Sequence, residues 1–332
     1  MDLQQRIDLL IRLGDYILEN NDSWKAAKQN AERQNSWFTS EFTELSSTNI
    51  ATQFLQPEKL KAFSSAYNIP PIKLQPKTVG LVMAGNIPLV GFHDWLCIFL
   101  SGHNAFIKSA SKDEVLIKHL LDQLNLWAPE VSTQSVFGGM LKGSDAYIAT
   151  GSNNSARYFK YYFNKYPSII RRNRTSVAIL KGNESMDDLE RLSDDIHLYF
   201  GLGCRNVTKI YVPAGYDFIP LLEAFHTYKS FIDHHKYKNN YDYQLAIHLL
   251  NQKFYMTNGT SLLSESDCIF SPISQLNYQF YEDMETVKEL VEVNQDIQCI
   301  VGEGYLPFGN SQCPSLTDYA DGIDTMNFLL QL

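Results

Sequence analysis

Thr78-Val79-Gly80-Leu81-Val82-Met83-Ala84, followed at once by Gly85-Asn86-Ile87-Pro88, decides how this chain is read. An apolar run of that length, rich in β-branched residues and closed by Gly and Pro, predicts a strand covered on both faces. The Gly-Asn pair marks a sharp turn at its carboxyl end. Beyond it, Leu89 to Leu100 has helical length, Ala105-Phe106-Ile107-Lys108 is a short strand, and Asp113 to Leu124 is an amphipathic helix before a strand near Val136-Phe137. Ala146-Tyr147-Ile148-Ala149-Thr150 then leads through Gly151-Ser152 into a helix ending near Phe163. Short buried strands alternating with helices predict an α/β fold built of parallel βαβ units, whose ligands bind at the carboxyl ends of the strands. Gly85-Asn86 and Gly151-Ser152 both fall at such ends.

Before Thr78 the chain reads as helical: Ile7, Leu10, Leu13 and Ile17 recur at helical spacing, and Asp22-Ser23 can cap a second helix. After the strand at Ser176 to Leu180, an acidic helix runs from Ser185 toward Phe200 and ends at Gly201-Leu202-Gly203-Cys204, before a strand from Thr208 to Pro213. The βα pattern continues to about residue 295. The tail offers two short strand candidates, Ile297 to Val301 and Ile323 to Leu329.

The 332 residues carry a net charge of −9, which argues against general affinity for nucleic acid. No stretch is long and apolar enough for a membrane span, and Met1 to Arg6 lead into a helical pattern and not an apolar signal core. Cytoplasmic location is the expectation. Five scattered cysteines without a Cys-x-x-Cys pair predict neither a disulfide framework nor a zinc ribbon. Adjacent His234-His235 would point apart on a regular element, so no metal site is expected.

Cys204 sits between a Gly-Leu-Gly turn and Arg205. It is either a thiolate stabilised by its surroundings or a small residue at a tight turn. Asn86 could donate its amide to an oxyanion or satisfy a turn. Gly151 and Ser152 open a helix whose free amides suit a pyrophosphate, or form an ordinary cap. Arg157, Lys160, Lys165, Arg171, Arg172 and Arg174 form a basic run that could meet phosphates of coenzyme A or a cofactor, pair with the acids of 187–195, or form a solvated or subunit-contact surface.

Taken in order, Gly-Asn-x-Pro, Phe-Ile-Lys-Ser, Thr-Gly-Ser and Gly-x-Gly-Cys resemble the aldehyde dehydrogenase superfamily, and within it the LuxC-like acyl-CoA reductase branch. The resemblance runs from about Thr78 to the carboxyl end. It implies a Rossmann-type NAD(P)-binding domain over 76–180 with a return at 297–332, an α/β catalytic domain over 181–296, and an added helical segment over 1–75. It implies Cys204 as nucleophile and Asn86, with the Cys204 N–H, as oxyanion hole. Lys108 and Ser109 would contact the adenosine ribose or its 2′-phosphate, Gly151 and Ser152 would lie at the cofactor helix, and Phe270 would pack beside the nicotinamide.

Two departures stand out. Arg171-Arg172-Asn173-Arg174-Thr175-Ser176 replaces the Glu-Leu-Gly-Gly-Lys-Ser of hydrolytic members, so the base that activates water is missing. Cys268 replaces the ribose-binding glutamate. The expected reaction is therefore reduction of acyl-CoA to an aldehyde, with NADPH preferred over NADH. Acyl-phosphate reduction and a non-catalytic acyl-holding subunit are the alternatives. The resemblance also implies a homo-oligomer, dimer or tetramer, and the reaction admits an acyl-transfer partner protein.

Overall fold

The run that opens at Thr78 is the central strand β1 (Thr78–Val82), with its three middle residues buried. Four strands lie parallel around it: β2 (Asn104–Lys108), β3 (Ser135–Phe137), β4 (Ala146–Thr150) and β5 (Ser168–Arg171). Their order, β3-β2-β1-β4-β5, runs outward from β1 in both directions. That is the doubly wound arrangement, and it sets the topological switch point between β1 and β4. The turns after these two strands carry Gly85-Asn86 and Gly151-Ser152.

The structure, a computed structural model, describes residues 1–332. Residues Met1–Asn173 and Pro314–Leu332 form one compact unit, and Arg174–Cys313 form a second. In the first unit the helices α1 (Leu3–Glu19), α2 (Asp22–Gln34), α3 (Ser40–Asn49) and α4 (Pro57–Ala66) precede β1. After β1 come α5 (Phe92–Ser101), α6 (Val115–Trp127), α7 (Val131–Gln134) and α8 (Asn153–Phe163). α5 is buried from Asp94 to Ser101, which explains why its sequence is apolar all round. One core joins helices and sheet, with Leu10, Trp24, Val79, Ile107 and Leu120 wholly inaccessible. The helical amino-terminal segment is thus part of this unit.

The second unit is a six-stranded sheet in the order β11-β6-β7-β10-β9-β8. Its elements are β6 (Thr175–Ile179), α9 (Met186–His197), β7 (Val207–Pro213), α10 (Ile219–Ala224), α11 (His235–Leu250), β8 (Met256–Thr257), β9 (Leu262–Glu265), β10 (Gln275–Tyr281), α12 (Met284–Glu292) and β11 (Ile297–Val301). All pairs are parallel except β8 with β9. β11 pairs with β6, so this strand belongs to the second sheet, and the chain rejoins the first unit only from Pro314.

The tail corrects one expectation. Residues 323–329 are not a strand: Thr325–Leu330 form the helix α13, capped by Asp324, whose carboxylate accepts from the Asn327 N–H at 2.8 Å. Met326 and Leu329, three apart, are wholly buried, which is helical spacing meeting an apolar surface. No helix of the chain is long and apolar enough to cross a membrane.

Candidate active site

In the first unit, the residues after β1 and β2 line a cleft of about 660 Å³ that includes Gly85, Asn86, Lys108, Ser109, Lys112 and Phe159. Three of the expected residues, Asn86, Lys108 and Ser109, therefore share one concavity. A Cβ at Gly85 would stand 2.6 Å from the Ala110 Cβ, so only glycine lets the two turns approach this closely.

The loop carrying Asn86 is held from below. Leu89 adopts a left-handed φ of 58°, and its N–H donates to Asp113 Oδ2 at 2.9 Å. Ser46 Oγ donates to the Pro88 carbonyl at 2.6 Å. Asp113 is buried, and its second oxygen has no hydrogen-bond partner. Burial pushes its carboxyl well above the usual range, an effect that the Leu89 N–H opposes. Its carboxylate faces Leu89, and none of the residues lining the cleft is acidic.

Gly151 and Ser152 follow β4. Ser152 caps α8, its Oγ accepting from the Ser155 N–H at 3.2 Å, so the capping role is filled. A Cβ on Gly151 would meet the Phe159 ring at 3.0 Å. Phe159 thus links this turn to the cleft, a contact absent from the sequence reading. The cleft has features that suit a dinucleotide: glycine allows close backbone approach, an aromatic ring offers a stacking face, and two lysines carry positive charge that can pair with phosphate.

In the second unit, α9 ends in a turn where Tyr199 (φ 55°), Phe200 (φ 56°) and Gly201 (φ 72°) are consecutively left-handed. A left-handed conformation costs a non-glycine residue roughly 1–2 kcal/mol. Burial of both rings helps hold it. Half-buried Cys204 follows. Asn206, wholly buried, accepts from the Gly203 N–H at 2.8 Å and donates to the carbonyls of Asp195, Ile196 and Leu198. Ser176 Oγ donates to the Cys204 carbonyl at 3.1 Å and lies 2.9 Å from Cys299 Sγ. Arg205, the cation beside the thiol, gives its Nε–H to the Ser311 carbonyl.

The same end of β6 and β7 holds the segment with Phe270. Thr208 Oγ1 donates to the Ile269 carbonyl at 2.6 Å, and Asn277 Nδ2 donates to the carbonyls of Cys268 and Phe270. Thr175 Oγ1 contacts Thr208 Oγ1 and the Asn206 carbonyl. A chain of hydrogen bonds thus joins the Cys204 turn to the Phe270 segment. Phe270 and Cys268 are exposed.

The basic run resolves differently from expectation. Arg171, at the end of β5, is buried; it pairs with Asp94 of α5 and donates to Thr325 Oγ1 at 2.7 Å. It cannot reach a substrate phosphate from there. In α9, Asp187 and Asp188 bind Arg191 within the helix, and Asp195 accepts from the N–H groups of Gly309 and Ser311.

No family model matches the chain, and no curated protein sequence matches it. Solved structures do. An oxidoreductase from Marinobacter aquaeolei superposes with a TM-score of 0.66 at 12% identity, covering 91% of this chain and 73% of the other. The aldehyde dehydrogenase KauB from Pseudomonas aeruginosa gives 0.64 at 14% identity over 91% and 72%. An E. coli NADP-dependent enzyme gives 0.66 at 11% identity over 91% and 73%. The fold is that of the aldehyde dehydrogenases.

Proposed function

We propose, from the premise of an aldehyde-dehydrogenase-like fold, that this chain is a nicotinamide-dependent oxidoreductase that reduces acyl-CoA to an aldehyde through Cys204. The observation that carries the reading is the Cys204 turn itself: a half-buried thiol on a hydrogen-bonded turn that directly follows the left-handed residues Tyr199 to Gly201 in that fold. Strain of this kind is retained where the surrounding structure fixes a group for use.

In this reading the Cys204 thiolate attacks the acyl carbonyl, a C–S bond forms, and coenzyme A leaves as its thiolate, which takes a proton. The Asn86 amide and the Cys204 N–H carry the negative charge on the carbonyl oxygen. The cleft of Gly85, Lys108, Ser109 and Phe159, with the Gly151-Ser152 turn, would hold a reduced nicotinamide, which when bound would supply the hydride for the acyl carbon on Cys204. Collapse of the thiohemiacetal on Cys204 releases the aldehyde and returns the thiol. No carboxylate occurs between Asp145 and Glu184, which supports an acyl-enzyme protected from base-activated water. Lys108 and Lys112 at the cleft, with Asp113 turned inward, favour the 2′-phosphate of NADPH over NADH. Phe270 is the proposed nicotinamide neighbour, and assembly into a dimer or tetramer belongs to the same reading.

The test is a panel of acyl-CoA and acyl-phosphate substrates with NADPH and NADH, following absorbance, aldehyde and free thiol. Intact mass after incubation with acyl-CoA should show one acyl adduct, absent from Cys204→Ala. An adduct that persists in that variant removes Cys204 from the mechanism. An adduct without hydride transfer makes the chain an acyl-holding protein.

A further inference from the structure

Three consecutive peptide groups around Cys204 are each tied to a fixed partner. The N–H of Gly203 donates to Asn206 Oδ1 at 2.8 Å. The Gly203 carbonyl accepts from the Asn206 N–H at 3.2 Å. The Cys204 carbonyl accepts from Ser176 Oγ at 3.1 Å. The middle peptide matters most, because its N–H is that of Cys204. A trans peptide is planar, so fixing the Gly203 carbonyl toward Asn206 fixes the Cys204 N–H in the opposite direction.

Both partners are anchored in turn. Asn206 shares its amide donors among three carbonyls at the end of α9, and its own carbonyl accepts from the Ser176 N–H at 3.1 Å. Ser176 Oγ also accepts from the Cys299 N–H at 3.2 Å, and both side chains are wholly buried. A merely structural cap on α9 would need only the Asn206 amide donors. Asn206 Oδ1 and Ser176 Oγ each add a bond to a peptide on one side of the Cys204 thiol, and the bonds to the Ser176 N–H and the Cys299 N–H hold those two groups in place.

We infer that Asn206 and Ser176 are positioning residues, a clamp that aims the Cys204 N–H and thiol; the inference rests on the reading of Cys204 as nucleophile. A backbone donor held in place stabilises a thiolate and, later, an oxyanion, without reorganisation at the moment of reaction. Truncating either side chain frees a peptide next to the middle one, the Leu202–Gly203 peptide in Asn206→Ala and the Cys204–Arg205 peptide in Ser176→Ala. The middle peptide keeps its bond to the main-chain N–H of residue 206 but loses the neighbours that fix its tilt, which weakens that donor. The thiol then ionises less readily and reacts more slowly at neutral pH.

The experiment compares wild type, Ser176→Ala and Asn206→Ala in the full chain. Iodoacetamide labelling of Cys204 is followed by peptide mass from pH 5 to 10, with thermal unfolding recorded in parallel. The clamp predicts a profile shifted upward by about 0.5–1 pH unit and labelling at pH 7 slowed about 3–10-fold in each folded variant. Lower unfolding temperatures with profiles that superpose on wild type would overturn it. Should Asn206→Ala fail to fold, Ser176→Ala decides, because it removes a single hydroxyl. Labelling needs no substrate, so the outcome stands apart from acyl-CoA turnover. Wild type that acquires no acyl adduct refutes the proposed function, and the labelling comparison still decides the clamp.

Discussion

His197 and Asp113 are buried titratable groups with opposite consequences for stability. His197 lies at the end of α9, its ring packed on Tyr228 and its nitrogens bonded to Ser193 and Ser261. Burial lowers its pKa to about 4. Above pH 6.5 both folded and unfolded forms are neutral. Between 6.5 and 4 only the unfolded chain takes the proton, so stability falls with pH by up to about 3 kcal/mol from this residue. His93, His103 and His119 are shifted the same way, also by desolvation. His197→Gln is expected to flatten the acid slope in urea unfolding measured from pH 7 to 4, while losing about 1–3 kcal/mol at neutral pH through unsatisfied partners. Asp113 behaves in reverse. Its folded pKa is raised, so above the ordinary carboxylate pKa the unfolded form ionises first and stability is lost as pH rises. Asp113→Asn keeps an acceptor for the Leu89 N–H and cannot ionise. Relative to wild type, its unfolding midpoint should therefore rise between pH 4 and pH 7; an unchanged difference would show that Asp113 is not the group responsible.

At the scale of elements, β5 joins parts of the first unit distant in sequence, because Arg171 ties α5 through Asp94 to α13 through Thr325. Truncating one partner of a buried ion pair leaves the other uncompensated, which costs about 3–5 kcal/mol. Arg171→Met should lose that much in denaturant unfolding, and Arg171→Met with Asp94→Leu should recover most of it. If the single variant costs under about 1 kcal/mol, the pair does not hold these elements together. The same residue shows where sequence reading stops. β1 and its Gly-Asn turn were legible because an apolar β-branched run closed by Gly and Pro is local information. The fate of Arg171 was not, since its partners stand 77 and 154 residues away. α13 looked like a strand because its cap, Asp324, matters only once Met326 and Leu329 have a core to enter. Cys204 could be singled out from its glycines, whereas Ser176, 28 residues earlier, carried no signal of its contact with the Cys204 carbonyl.

For the whole molecule, the path of the chain makes one unit depend on its last segment. The second unit is continuous, Arg174–Cys313, and has its own apolar clusters around Val207, Ile210 and Leu276 and around Val177 and Tyr211. The first unit is discontinuous and takes Leu316, Tyr319, Met326 and Leu329 from Pro314–Leu332 into its core. Side chains reach for that segment as well: His93 bonds the Leu316 carbonyl, His103 the Leu329 carbonyl, and Tyr67 the Asp324 carboxylate at 2.8 Å. Each buried apolar side chain contributes roughly 1.5–3 kcal/mol. Their combined loss approaches the ~5–15 kcal/mol that keeps a domain folded. A chain ending at Cys313 is therefore expected to lose the order of its first unit while the second keeps its sheet. Hydrogen exchange separates the cases by segment. Amides of β1, β2 and β4 should exchange within seconds in the shortened chain, and those of β6, β7 and β10 should stay protected near full-length values. Uniform protection in both would mean that the first core closes without its carboxyl-terminal segment, and uniform loss that the two cores fold only together.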